Sequence, residues 1–417
     1  MSHDKPVPIK PDLKFATEII GMGADDMEKC YQCATCSVVC PISPDDSPFP
    51  RREMIWAQWG LKDKLMGDPN VFLCHQCGDC SDKCPRDAKP GDVLGAIRAF
   101  AYRHFATPSF MGTALSDPKY LPALILFPAI LFMSIMGILS TGIPAEIAAS
   151  ILPARLAHLE HEFQVAFFPG GQIVFARMFP HLGMIDAVFV TLSLFVFISF
   201  YLSIKKFWAA MEATVDAPNK KSVGEAFSET LAEFLPHKKF TECGNNADRA
   251  QPHKFLFWSF AILFIVTAFV AGGFWVFDVI IPAVGAEVHN PFLSPLGFSS
   301  FPHVVLKIMA AVGAAMLMYG IIAIMQNRNN PEKKTNSSYS DWFLIGVVFA
   351  VGLTGILSWV FLLTGIGILA YSVYFLHIVA VFMLLGYFPF SKFSHMIYRF
   401  TAIMFAKVKD IDVKLAA

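Results

Sequence analysis

The chain has 417 residues, a formal charge of zero, 41 phenylalanines and only 16% charged residues. Its mean hydropathy of +0.52 is too high for a soluble domain, so most of it belongs in lipid. The length allows two or three domains, and the absence of net charge gives no footing for nucleic acid.

Residues 1–29 open polar and proline-bearing, then include a short amphipathic piece from Leu13 to Ile20. They hold no apolar stretch of the secretory kind, so a reducing compartment is expected. Two cysteine runs follow, Cys30-Tyr31-Gln32-Cys33-Ala34-Thr35-Cys36-Ser37-Val38-Val39-Cys40-Pro41 and Cys74-His75-Gln76-Cys77-Gly78-Asp79-Cys80-Ser81-Asp82-Lys83-Cys84-Pro85. Both read C-x2-C-x2-C-x3-C-P, the spacing with which bacterial ferredoxins hold two [4Fe–4S] clusters. Three thiolates on one tight loop reach three irons of a cubane, and the fourth cysteine crosses to the partner cluster. This assigns Cys30, Cys33, Cys36 and Cys84 to one cluster, and Cys74, Cys77, Cys80 and Cys40 to the other. Disulfides would need an oxidising compartment, and zinc prefers paired C-x2-C ligands to triplets with a crossing fourth. The ninth cysteine, Cys243, stands in a polar stretch and reads as a free thiol.

Thirty-three residues separate Cys40 from Cys74. Pro50 suits a first helical turn and Gly60 a C-cap, with Met54, Ile55, Trp59 and Leu61 as a mostly one-sided apolar stripe. The spacer therefore predicts helices, and an all-helical cluster domain over residues 1–118. A further helix is expected from about Asp92 to Phe105, with 106–118 as linker.

Six apolar segments follow, near 119–142, 184–207, 254–280, 302–326, 341–363 and 367–390, each long enough to cross a hydrocarbon core of about 30 Å. They make residues 119–417 a membrane domain. The connection 205–254 carries Lys205, Lys206, Lys220, Lys221, Lys238, Lys239, Arg249 and Lys254, whereas 143–183 carries only Arg155 and Arg177. Positive charge marks the inner side, so both termini and the cysteine runs are expected in the cytoplasm. The long connection 143–183 reads as an amphipathic helix on the outer face, or as part of a quinone or haem pocket.

The last segment contains His377 and, beyond Phe388-Pro389-Phe390-Ser391-Lys392, His395. On one continuous helix the two histidines share a face about 27 Å apart, although Pro389 loosens the phase. Intramembrane imidazole is costly unless it is used. Stacked bis-histidine b haems need such a helix, whereas the plainer reading is a histidine hydrogen-bonded between helices. For second axial ligands, His253 opens the third span at the level of His395. His303 opens the fourth at the outer face, and His181, at the outer start of the second, is its rival. Lys307 shares a face with His303. It either snorkels outward or meets a haem propionate or quinone carbonyl. Asp278 and Glu287 are weak candidates for proton carriage.

Residues 28–105, with their two runs and the Pro50-Arg51-Arg52 helix between them, resemble the iron–sulfur C-type component of heterodisulfide reductase. Residues 180–400 resemble the cytochrome b subunits of heterodisulfide reductase and respiratory nitrate reductase, best from His377 to His395. The fusion is similar to the membrane subunits of quinone-interacting membrane-bound oxidoreductase complexes. That resemblance implies an all-α fold, an α-helical ferredoxin domain followed by a six-helix cytochrome b-type bundle. It implies electron exchange between menaquinone, b haem (two of them) and the clusters. It further implies cytoplasmic flavin/iron–sulfur partner subunits, with adenylylsulfate reductase beyond them. The nitrate reductase subunit places a pair of haem histidines on one earlier span; no span here does, which leaves the second ligands and the haem count open. No strand-borne G-x-G-x-x-G opens a helix, so flavin belongs to a partner. The alternative within this class is the membrane subunit of a heterodisulfide reductase using methanophenazine. A transporter with a regulatory cluster domain is disfavoured by the lack of paired acidic residues or broken helices at midplane.

Overall fold

The computed structural model describes residues 10–43, 48–141, 163–236, 244, 247–286, 288–292, 301–330 and 337–411. Cys243, Glu287 and residues 143–162 of the long connection 143–183, expected on the outer face, lie outside the described residues. The described chain is all-α, without a strand.

Helix α1 (Leu13–Gly21) starts where Asp12 accepts a hydrogen bond from the Phe15 amide at 2.9 Å, and it buries Phe15 and Ile19 one turn apart. After the first cysteine run, whose last turn is α2 (Thr35–Val38), α3 (Arg51–Gln58) and α4 (Lys62–Met66) fill the spacer. Gly60 between them has φ +64°, and a Cβ there would lie 2.6 Å from the Asp12 carbonyl oxygen. Only glycine fits that crossing. The apolar stripe on α3 is narrower than its sequence suggests. Met54 and Leu61 are buried, but Trp59 is 51% exposed and the charged Glu53 is fully buried. The helix is rotated so that Arg52 can bridge Glu53 and Asp68.

Helix α5 (Asn70–Leu73) leads into the second run, α6 (Asp79–Asp82) ends it, and α7 (Pro90–Phe105) packs beneath. The expected linker 106–118 contains a helix, α8 (Ser109–Ser116), which buries Gly112 and Leu115 and leans on α7.

Among the described residues six helices are long and apolar enough to cross a membrane: Pro118–Ser140, His181–Thr214, Ala250–Ala283, Phe301–Arg328, Tyr339–Thr364 and Gly367–Gly386. Their main helical bodies are α9 (Leu121–Ser140), α11 (Ala187–Thr214), α13 (Ala250–Gly273), α14 (Phe301–Arg328), α15 (Tyr339–Thr364) and α16 (Gly367–Gly386). Two short elements join them, α10 (Phe175–Met178) and α12 (Val223–Phe234). Helix α13 pairs with α14, and α15 with α16.

The last span does not run on to His395. It stops at Gly386, and residues 387–394 form two short 3-10 turns around an extended Ser391 (φ −107°, ψ 174°). Pro389 lacks an amide proton and restricts the residue before it, which disfavours helix there. His395 therefore opens a separate helix, α17 (His395–Lys409). The expectation that His377 and His395 share one helical face is overturned.

Helix α17 returns to the cysteine region and packs on α5 and α12. One apolar core joins Phe15, Ile19, Met54, Phe72 and Ile97 to Phe207 and Met211 of α11 and to Tyr398 and Phe405 of α17. The Tyr398 ring stacks on Phe72 with centroids 5.7 Å apart. That core continues across the expected division at 118/119.

Candidate functional site

The two cysteine runs adopt matching backbones. Gln32 and Gln76, each just before the second cysteine, have φ of 66° and 52°; Ala34 and Gly78, just after it, have φ of 70° and 88°. These left-handed positions fold each C-x2-C-x2-C stretch into a tight loop. Helices α2 and α6 pack against each other, which lets the fourth cysteine of each run cross. Cys36 feels the charges of Cys30, Cys33 and Cys84, and Cys40 those of Cys74 and Cys77. Cys40 also feels Cys36, so the thiols of both runs lie close together, and which four share a cluster is the reading from the spacing.

Burial, helped by neighbouring cysteines, pushes the Cys36 thiol up to about 11 and Cys40 up to about 12, and raises Cys80 as well. Cys33 is exposed, and the Thr35 hydroxyl lowers its thiol. Crowded, buried thiolates are costly unless cationic iron neutralises them, and loading must then release protons. Cys40, Cys74, Cys77 and Cys80 ring a small cavity. Among the described residues no three His, Cys, Asp or Glu side chains converge tightly enough for one metal ion. Thiols spaced around a cavity suit a cluster instead, since each binds a different iron.

A second, larger cavity of about 490 Å³ lies between this loop and the membrane helices. Cofactor sites commonly span roughly 300–1,000 Å³. His253, from the first turn of α13, and His395, first residue of α17, both line it. Their ring centroids are 6.4 Å apart with the planes at 73°. Two imidazoles on opposite sides of one metal, with metal–N near 2.0 Å and about 1.1 Å from nitrogen to centroid, would stand about 6.2 Å apart. His395 Nδ1 lies 2.7 Å from the Lys392 carbonyl oxygen. A carbonyl only accepts, so Nδ1 carries the proton and Nε2 keeps its lone pair. Burial also holds the His395 pKa down at about 4, so the ring is neutral, the form that binds metal.

Five cationic side chains, Arg98, Arg249, Arg328, Lys392 and Arg399, line this cavity among the described residues, against the carboxylates Glu233 and Asp341. Lys392 and Arg328 share Asp341. A buried cationic surplus suits a dianionic ligand, and a haem brings two propionates. The residues present therefore fit a b haem held by His253 and His395.

The outer candidates are not gathered in this way. His377 packs against Gly355, and its Nδ1 lies 3.1 Å from Thr354 Oγ1 on α15. Its ring neighbour is Tyr374, and no ring contact joins it to another described histidine. His303 Nδ1 bonds the Phe292 carbonyl at 2.8 Å, and His181 stacks on Phe274 at 5.0 Å. Lys307 is exposed one turn beyond His303. Asp278 accepts from Asn290 at 2.5 Å.

Sequence reasoning missed Arg98, Arg399 and Thr354. Arg399 carried one signal, its place four residues after His395, which sets both on one helical face. Arg98 and Thr354 carried none, because their partners are distant in sequence.

Residues 26–88 match the family of the 4Fe-4S dicluster domain. The chain is similar to the C component of the H(2):CoB-CoM heterodisulfide,ferredoxin reductase of Methanothermobacter marburgensis, 39% identical over 88 residues, 21% of this chain and 47% of the relative. The counterpart from Methanothermobacter thermautotrophicus matches to the same extent. A heterodisulfide reductase C-like protein of Archaeoglobus profundus is 33% identical over 98 residues, 23% of this chain and 52% of the relative. The chain spans about half the length of the curated relatives it matches. No solved structure matches. Dicluster similarity is thus established for the cysteine region, joined on one chain to six helices able to cross a membrane.

Proposed function

We propose that this chain is the membrane electron-transfer subunit of an oxidoreductase complex. It exchanges electrons between a membrane quinone, menaquinone in the complexes it resembles, and cytoplasmic flavin/iron–sulfur subunits. The observation that carries this reading is one shared loop. Residues 74–77 line both the small thiol cavity and the large cavity of His253 and His395.

In this reading Cys30, Cys33, Cys36 and Cys84 hold one [4Fe–4S] cluster, and Cys74, Cys77, Cys80 and Cys40 the other. His253 and His395 hold a b haem, and His377 is the ligand on which a second haem depends. Each group, when bound, takes up and gives back one electron. The residues' own work is to fix these groups and keep water away. The Lys392 carbonyl orients His395, and the basic residues of the large cavity balance ligand charge. The excess of lysine and arginine in connection 205–254 supports a cytoplasmic cysteine domain, with both termini on that side. Adenylylsulfate reductase is the acceptor suggested by the resemblance to the quinone-interacting complexes.

The test is quinol-driven reduction of the purified membrane complex, followed by visible and EPR spectra. A menaquinol analogue should reduce a b haem and then both clusters. A preparation with no haem, or with clusters that quinol leaves oxidised, would overturn the reading. The methanogen relatives favour a second reading, the membrane subunit of a heterodisulfide reductase. Co-purification of a disulfide-reducing catalytic partner, in place of flavin/iron–sulfur subunits, would select it.

A further inference from the structure

Cys74, His75, Gln76 and Cys77 face the thiol cavity on one side and the histidine cavity on the other. They form a wall one loop thick, held by two guanidiniums. Arg98 donates to the Val71 carbonyl at 2.8 Å and to Gln76 Oε1 at 3.0 Å. Arg399 donates to the Cys74 carbonyl at 3.0 Å, and its Nη2 faces the His75 ring, 2.8 Å from Nδ1 and 3.3 Å from Nε2.

Arg399 stands one turn beyond His395 on the same face of α17. One short helix thus presents an iron-ligand candidate to the large cavity and a clamp to the cysteine loop. Tyr398, between them in sequence, is fully buried against Phe72 of α5, and this fixes the helix against the loop.

We propose that the wall Cys74–Gln76 is where electrons cross between the two sites, and that Arg399 is the positioning residue that sets its thickness and raises the potential of the second-run cluster. The proposal rests on the functional reading above. A cation hydrogen-bonded to the carbonyl of a cluster-ligating cysteine favours the more negative, reduced cluster. The planar fork of arginine also spans two successive residues of the wall, which a lysine ammonium cannot do. The wall passes one electron at a time, with no bond made or broken and no proton transferred.

The experiment compares wild type, Arg399→Gln and Arg399→Lys as the full chain in its complex, at equal haem and non-haem iron content. EPR-monitored redox titration and rapid-mixing spectroscopy are the readouts. Arg399→Gln should shift the second-run cluster to a more negative potential, leave the first-run cluster unmoved, and slow haem-to-cluster transfer about tenfold or more. Arg399→Lys should restore the potential but not the rate. An Arg399→Gln protein with unchanged potential and rate would overturn the proposal. If that variant does not accumulate, His75→Phe removes one arm of the fork and keeps the bond to Cys74. It should slow transfer without moving the potential, and an unchanged rate would again overturn the proposal. Wild-type protein lacking haem or clusters would fail the functional reading instead, before any variant is compared.

Discussion

Thr354 fixes the tautomer of His377. Its Oγ1 donates to the Ala350 carbonyl at 2.6 Å and lies 3.1 Å from His377 Nδ1. With its one proton committed, the hydroxyl can only accept, so the imidazole donates from Nδ1 and leaves Nε2 bare. His395 reaches the same state through the Lys392 carbonyl. Two histidines on separate helices thus hold the same tautomer through different neighbours.

Loss of haem should therefore separate the sites. His395→Ala and His253→Ala should each remove the same b-haem component. His377→Ala and Thr354→Val should spare that component and lower the remainder, the threonine variant by weakening affinity about 10–100-fold. Pyridine haemochrome assay reads the count. Unchanged haem in His377→Ala would remove His377 from the ligand set.

The crossing of the two cysteine runs gives opposite signatures for two serine variants. Non-haem iron should approach about eight per chain, as two cubanes require. Cys84→Ser should damage the cluster held by Cys30, Cys33 and Cys36, while Cys40→Ser should damage the one held by Cys74, Cys77 and Cys80. Interchanged EPR losses would show that each run ligates its own cluster.

Gly67 packs tightly against the end of the second span. A Cβ there would lie 1.9 Å from Thr214 Oγ1 and 2.5 Å from the Ala210 carbonyl oxygen. Gly67→Val should push α4 off the end of α11 and cost about 1–3 kcal/mol. Gly21 has nothing within 4 Å of a Cβ, so Gly21→Ala should stay within about 0.5 kcal/mol of wild type. Thermal denaturation in detergent compares the two, and equal midpoints would show that this contact does not matter.

The buried carboxyl of Glu53 makes stability depend on pH. Burial and the nearby Asp68 raise its pKa well above 4.5, although Arg52 Nη2 lies 3.0 Å away. Over the window between the unfolded value and the raised one, the folded state holds the extra proton. Its contribution is complete below the unfolded value and is lost as pH rises through the raised one. Glu53→Gln should keep the fold and flatten that slope. Arg52→Leu should cost about 3–5 kcal/mol, because it strands the two acids. Denaturation midpoints across neutral pH test both, and an unflattened slope in Glu53→Gln would place the titration elsewhere.

Cysteine spacing predicted two tight loops because cubane ligation imposes one on each C-x2-C-x2-C stretch, and both loops are found. The six spans were legible because lipid demands long apolar helices whatever their packing. His395 was harder to place. Eighteen residues from His377 read as five helical turns, but Pro389 ends the helix, and apolar composition alone cannot show where the chain turns away. His253 was matched to His395 by depth, which the bundle preserves. His303 and His181 were matched to His377 by the same logic, and the structure sets them beside Phe292 and Phe274. The clamp of Arg399 on Cys74 spans 325 residues, and no periodicity reports a contact of that length.

Because α17 begins only at His395, the surface that covers α5 and the second cysteine loop is made long after that loop leaves the ribosome. At about 5–20 residues per second, the loop waits on the order of tens of seconds for its cover. During that interval its sulfurs are open to whatever delivers iron and sulfide. The interval closes when residues 395–409 fold back and His395 arrives opposite His253. The order of synthesis thus leaves the second cysteine loop uncovered until α17 completes the wall of the large cavity.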